Sequence, residues 1–73
     1  MTSVFHKTLV RAFHVRSFEI TADARSGWQV FEREDERVIH LQRVTDWHRV
    51  ERAAFRLAQL VADLQREGWR ETA

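Results

Sequence analysis

The clearest pattern of apolar residues in this chain lies in its C-terminal third, where they recur at helical spacing. They follow an i, i+3, i+4, i+7 repeat and form one stripe: Trp47, Val50, Ala54, Leu57, Val61 and Leu64. Thr45 or Asp46 supplies an oxygen for the N-cap. Gly68 stands where a C-cap needs a left-handed residue, and Trp69 follows it to pack on the last turn in a Schellman ending. The pattern predicts an amphipathic helix over residues 46–67.

Alternating apolar and polar residues predict three strands before this helix. The strands occupy residues 16–22, 28–33 and 37–44. Gly27 lies in the first turn, DARSG, and the acidic EREDER run contains the second. Because both connections are short, residues 16–44 should form an antiparallel meander with the helix on one face. The predicted core consists of Phe18, Ile20, Trp28, Val30, Ile39, Leu41, Val50, Ala54, Leu57, Val61 and Leu64.

The N-terminal segment fits two patterns. Phe5, Leu9 and Ala12 or Phe13 would share one face of a short helix over residues 1–13. Alternation from Leu9 to Val15 equally fits a strand that runs into the first meander strand, with a bulge or an element boundary near Ser17. We interpret residues 1–14 as an extra strand or an extended arm, with a helix as the alternative. The predicted fold is α+β, a three-stranded meander followed by one long helix (βββα), in a single domain over residues 1–73.

A helix at residues 1–13 would give the order αβββα, which resembles the double-stranded-RNA-binding domain in outline. Basic residues at the start of the last helix are also in character with that family. Its Gly-Pro-x-His turn and its Lys-Lys-x-Ala-Lys run are missing, and the chain has TDWHRVERAA at the latter place. The resemblance is one of element order, and we do not assign the chain to the family.

Size and composition narrow the classes of protein. The chain has 73 residues and no cysteine, which excludes disulfides and thiolate metal sites and fits a reducing, cytoplasmic setting. No apolar run approaches the roughly 18 residues of a membrane span, so we expect no membrane partner. Five large or mid-sized apolar residues remain outside the predicted core: Phe5, Leu9, Phe13, Phe31 and Phe55. Because a chain this short often gains stability by association, we expect the N-terminal segment or a second copy in a homodimer to cover them.

No arrangement of residues predicts an enzyme. The acidic residues of EREDER lie at a solvated turn, and the four histidines lack the HxxxH or HExxH spacing of a helical metal site. Two isolated glycines cannot form a phosphate-binding loop. We therefore predict no catalytic residue, no metal or cofactor site and no small-molecule substrate.

The most informative charges are the arginines of the helix. Arg49, Arg52 and Arg56 lie within about 60° of one another around the helix axis. We expect them on the helix face opposite the apolar stripe. Cations in the N-terminal half of a helix oppose its dipole, and Arg52 with Arg56 is a like-charge i, i+4 pair. An anionic partner would offset this cost, and Arg43 at the end of the third strand could join the row. The alternative is a solvated arginine face. The formal net charge of only +1 does not by itself predict a polyanion partner.

The sheet face away from the helix is the second predicted surface. We expect it to carry Gln29, Phe31, Arg33, Val38, His40 and Gln42. Such a face can stack bases on an aromatic ring or form a dimer interface centred on Phe31 and Val38, and Phe55 on the helix is a further apolar contact. Two functions follow. The first is a non-enzymatic interaction module that self-associates or binds a protein, and the second is a nucleic-acid-binding domain that uses the arginine row.

Overall fold

The chain folds into an antiparallel sheet with one long helix on one face, and the computed structural model describes residues 3–23 and 25–72. The elements are β1 (Ser3–Arg11), β2 (His14–Ala22), β3 (Trp28–Glu34), β4 (Arg37–Val44), α1 (Trp47–Arg66) and β5 (Arg70–Glu71). The predicted α+β class with a C-terminal helix is confirmed, whereas three strands was too few. Residues 1 and 2 of the predicted arm, Ala24 of the predicted first turn and Ala73 lie outside the described residues.

The strand order across the sheet is β4-β3-β2-β1-β5, and every pair of neighbours is antiparallel. The first four strands follow one another through tight connections, as short loops require. After the helix, the chain returns to the far side of β1, where Leu9 pairs with Glu71 and Val10 with Arg70. Within the described part of the chain, β4 therefore forms an edge of the sheet with no strand beyond it.

The N-terminal segment is a strand, so the helical alternative is wrong, and with it the αβββα order that resembled the double-stranded-RNA-binding domain. A turn at Ala12 and Phe13 separates β1 from β2, and Ala12 has a positive φ of 54°. Val10 lies opposite Val15 across this hairpin. The break in alternation thus reflects a turn at Ala12, and not the boundary that the pattern indicated near Ser17.

The core lies between α1 and the helix-side face of the sheet. Its buried residues are Leu9, Phe18, Ile20, Val30 and Val44 from the sheet and Val50, Ala53, Leu57, Val61 and Leu64 from the helix. Phe18, Ile20 and Val30 are buried as predicted, and Leu9 joins them from β1. Trp28 and Ala54 pack at the border of this cluster.

The prediction for β4 was wrong about which face is buried. Ile39 and Leu41 were expected in the core, yet they are 47% and 57% exposed. Val44 lies opposite Trp28 and Gln42 opposite Val30, so alternation puts Gln42 on the helix side and Leu41 beside Phe31 on the other side. The register of β3 and β4 also shifts between Glu32 and Arg33, which leaves Ile39 as an extra residue in the strand.

Both ends of α1 form as their local sequence predicts. Asp46 is the N-cap and accepts a hydrogen bond from the His48 N–H at 3.0 Å. At the other end, the Trp69 N–H donates to the Leu64 carbonyl at 3.0 Å and the Gly68 N–H to that of Gln65 at 3.2 Å, the two bonds of a Schellman motif. These caps fix where the helix begins and ends.

The turn between β2 and β3 touches the end of β4 at Gly27. This residue has a φ of 82°, and a Cβ added there would lie 2.5 Å from the Val44 carbonyl oxygen. Nearby, the rings of Trp28 and Trp47 are 5.3 Å apart. Only glycine therefore lets this turn approach the strand that leads into α1.

We expect Gly27→Ala to destabilise the fold by more than about 3 kcal/mol, because it adds a backbone clash to an unfavourable φ. Gly68→Ala is the matched control. Gly68 also has a positive φ, but its added Cβ meets nothing closer than the Arg11 side chain at 3.9 Å. It should cost only about 1 kcal/mol. Urea unfolding of both variants measures the difference, and equal losses would contradict the close approach of Gly27.

Candidate functional site

The arginine row of α1 lies on the flank of the helix that looks onto β4, not on the outermost face where the pattern placed it. Three arginines and three neighbours line one open cleft of about 410 Å³, which we call the arginine cleft: Gln42, Val44, Arg49, Arg52, Ala53 and Arg56. Ala53 is buried at its base, and the arginines are exposed. The structure therefore brings together three of the four arginines predicted as an anion contact.

The charges in the arginine cleft are only partly balanced. The Arg56 Nη1 lies 3.8 Å from Oε2 of Glu32, a carboxylate that β3 places under the helix with only 8% of the residue exposed. Neither Arg49 nor Arg52 has a carboxylate within ion-pair distance in the described ranges. The first turn of α1 also carries no acidic residue. Two guanidinium groups thus remain without a charged partner near the positive end of the helix dipole.

Arg43 does not join this row. Its Nη2 donates to the Ser26 carbonyl at 2.7 Å, and its Nη1 lies 3.6 Å from Oδ2 of Asp23. Because Arg43 neighbours Gln42 in β4, it projects to the opposite face of the sheet. Arg43 therefore secures the β2–β3 connection instead of extending the arginine cleft.

The three residues predicted as an interface do not share a surface. Phe31 and Val38 lie on the sheet face away from the helix, which also carries Leu41. Phe55 lies on the outer side of α1, where it is 68% exposed and borders a shallow depression with Arg52. The two regions must act separately if they bind anything.

The open face of the sheet contains a concave region of about 500 Å³. Its lining residues are His6, Thr8, Val15, Ser17, Glu19, Phe31, Arg33, Asp35 and Glu36. The Arg33 guanidinium covers the Phe31 ring at 5.6 Å, and three of the lining residues are acidic. His40 and Gln42, which were expected here, face the helix side instead. A covered ring beside carboxylates is poorly suited to nucleic acid.

The edge strand β4 is a surface that the sequence predicted only in part, through Val38. Seven of its eight residues are exposed, and Val38, Ile39 and Leu41 are large and apolar. The strand contains neither proline nor lysine, two residues that commonly protect sheet edges, and its protective features are the charged Arg37 and Arg43 and the bulge at Ile39. The sequence did indicate that Leu41 is exposed. Val44 beside the helix start should face the core, and alternation along the strand then turns Leu41 to the other face. Phe13, one of the apolar residues predicted to lie outside the core, is 98% exposed at the first hairpin within one copy of the chain.

A polar clamp joins the two hairpin turns at one end of the sheet. The His14 Nδ1 lies 2.8 Å from Oδ2 of Asp35, and the Val15 N–H donates to Oδ1 of Asp35 at 2.9 Å. The Asp35 N–H in turn donates to the Val15 carbonyl. The hydrogen bond and charge of Asp35 raise the pKa of His14, while the hydrogen bonds from His14 and Val15 lower the pKa of Asp35.

The clamp predicts a pH window for stability. The raised pKa of His14 stabilises the fold below its ordinary value of 6.5, and this contribution is lost as pH rises through the folded value. The lowered pKa of Asp35 stabilises the fold above 3.8 and is lost as pH falls through the folded value. The free energy of unfolding lost on Asp35→Asn should therefore be largest between pH 3.8 and 6.5.

Chemical denaturation of the wild type and Asp35→Asn across pH measures this window. Glu36→Gln, in the same turn, is the control and should show no such pH dependence, because Glu36 forms neither of these bonds. A loss for Asp35→Asn that is the same at pH 5.5 and well above pH 7 would refute a charged His14–Asp35 pair.

Comparisons place this chain in no known group: family models, curated proteins and solved structures all gave no match. Among the described residues, no three His, Cys, Asp or Glu side chains cluster closely enough to hold a metal ion. No helix in that part of the chain combines the length and apolar character needed to cross a membrane. Any function must therefore be inferred from the surfaces described above.

Proposed function

We propose that this chain is a non-enzymatic interaction module that self-associates by pairing the outer edge of β4 with β4 of a second copy. The observation that carries the proposal is the outer edge of strand Arg37–Val44, which has no partner strand in the described residues, with Val38, Ile39 and Leu41 about half exposed. An unpaired strand edge presents a row of N–H and C=O groups, and another edge satisfies them.

Symmetry decides the arrangement of such a dimer. A two-fold axis normal to the sheet makes the two β4 strands antiparallel, and each copy then contributes the same patch. The sheets would join into one, with both α1 helices on the same side. The exposed apolar side chains at the seam would lose contact with water, and each such side chain contributes on the order of 1 kcal/mol when partly buried.

A second copy would also stabilise this small fold by covering exposed apolar residues. One helix supplies the only layer packed on the sheet in the described residues, and apolar residues of β4 stay outside it. Domains of this size often gain stability from association. We propose no catalysed reaction. Catalytic groups usually act where water is excluded, whereas three histidine–carboxylate pairs are exposed: His6–Glu19, His14–Asp35 and His48–Glu51.

Replacing Ile39 and Leu41 with lysine should abolish self-association, because two charges per copy would face one another across the seam. Sedimentation equilibrium at up to about 100 μM protein, ample for an association with a Kd near 1 μM, measures the mass. Val15→Lys is the control, since Val15 is a similarly exposed valine on an interior strand. It should leave the dimer intact.

Two outcomes would contradict edge pairing. One is a wild-type chain that stays monomeric throughout this concentration range. The other is a dimer that survives the double lysine variant but dissociates on Phe55→Lys, which would move the interface to the outer side of α1. Circular dichroism of each variant must first show the wild-type helix and sheet content.

A further inference from the structure

The arginine cleft brings together two arginines that have no carboxylate partner in the described residues. Arg49 and Arg52 line a concavity of about 410 Å³, and its lining contains no acidic residue. The carboxylate of Glu32 lies beneath Arg56 and holds only that guanidinium. Placing cations in this half of the helix is unfavourable for the helix itself, so an anionic ligand would relieve a cost that folding leaves in place.

An exposed aromatic ring lies directly beside this charge. Phe55 is 68% exposed and shares a second depression with His48, Glu51 and Arg52. Arg52 therefore borders both concavities and connects the cleft to the ring. Guanidinium groups that contact phosphates next to a free aromatic face are typical of surfaces that bind single-stranded nucleic acid.

We propose that the arginine cleft binds single-stranded nucleic acid, with phosphates on Arg49 and Arg52 and one base stacked on Phe55. Arg56, held by Glu32, borders the same path. A single strand fits better than a duplex, because only unpaired bases offer their faces to a side chain. The open sheet face is the less suitable surface, since Arg33 covers its ring and three acidic residues line it, whereas Glu51 is the one acidic residue that lines the Phe55 depression and none lines the cleft.

The site is complete within one copy of the chain. The cleft lies on the helix side of β4, and none of its contacts needs a second copy. A dimer paired through β4 would place two such clefts on one side of the joined sheet. The inference thus goes beyond self-association and does not depend on it.

Fluorescence anisotropy of a labelled oligouridylate of about twelve nucleotides, titrated with the full chain, tests the site. Two or three phosphate contacts predict that affinity falls about tenfold between roughly 50 and 200 mM salt. The double variant Arg49→Glu, Arg52→Glu should weaken binding at least about tenfold and remove most of the salt dependence. Phe55→Ala should weaken binding by about fivefold or more and leave the salt dependence unchanged.

The matched control is Arg25→Glu with Arg70→Glu, which changes the net charge equally at two exposed arginines outside the cleft. It should retain binding within about threefold, because only the general field of the protein changes. Sedimentation of the same samples keeps the two proposals apart. A monomer that binds the oligonucleotide overturns self-association alone, and a dimer that does not bind overturns this site alone.

Three results would overturn the inference. The first is an absence of binding at about 50 mM salt, where phosphate contacts are strongest. The second is an equal loss in the control and the cleft variants, which would mean attraction by net charge. The third is equal affinity for a polyglutamate probe with no effect of Phe55→Ala, which would assign the cleft to acidic protein segments.

Discussion

One constraint governs residues 3–23 and 25–72: a single helix covers one face of a sheet of five strands. The 20 residues of α1 span about 30 Å and run from Trp47, beside Trp28, to a C-terminus beside Arg11 of β1. This path is diagonal, and it buries the central residues Phe18 and Ile20. In β4 only the last residue reaches the core. In the described residues no helix packs on the opposite face of the sheet, so Val38 and Leu41 on that face stay exposed.

The same constraint arranges the charges. Because Val44 is the only residue of β4 buried in the core, one flank of the helix and the end of β4 border an open cleft. Glu32 is buried at the margin of the helix and engages Arg56, while Arg49 and Arg52, nearer the helix start, find no such carboxylate in the described residues. Surface charges of this kind add little to stability. Their position beside the open cleft is the observation on which the proposed anion site rests.

Local signals predicted α1 and the bounds of β4 correctly, because caps and periodicity are written in adjacent residues. The extra strand was harder, since the turn at Ala12 and Phe13 contains none of the usual turn residues and uses a positive φ at alanine. The buried face of β4 follows from Val44, which faces the core beside the helix start, whereas the apolar residues Ile39 and Leu41 taken alone indicated the other face. Likewise, the arginine row was recognisable from spacing, but the capture of Arg43 by Ser26 arises only from tertiary contact.

Amide hydrogen exchange along β4, followed by NMR at low and high protein concentration, tests most directly whether the uncovered edge pairs with another copy. If it does, amides of residues 38–44 that point away from β3 will exchange more slowly as concentration rises, while those of β1 and β2 keep the same rates. Exchange in β4 that does not change with concentration, and stays fast beside a protected β3, would contradict edge pairing and leave β4 as a solvated strand.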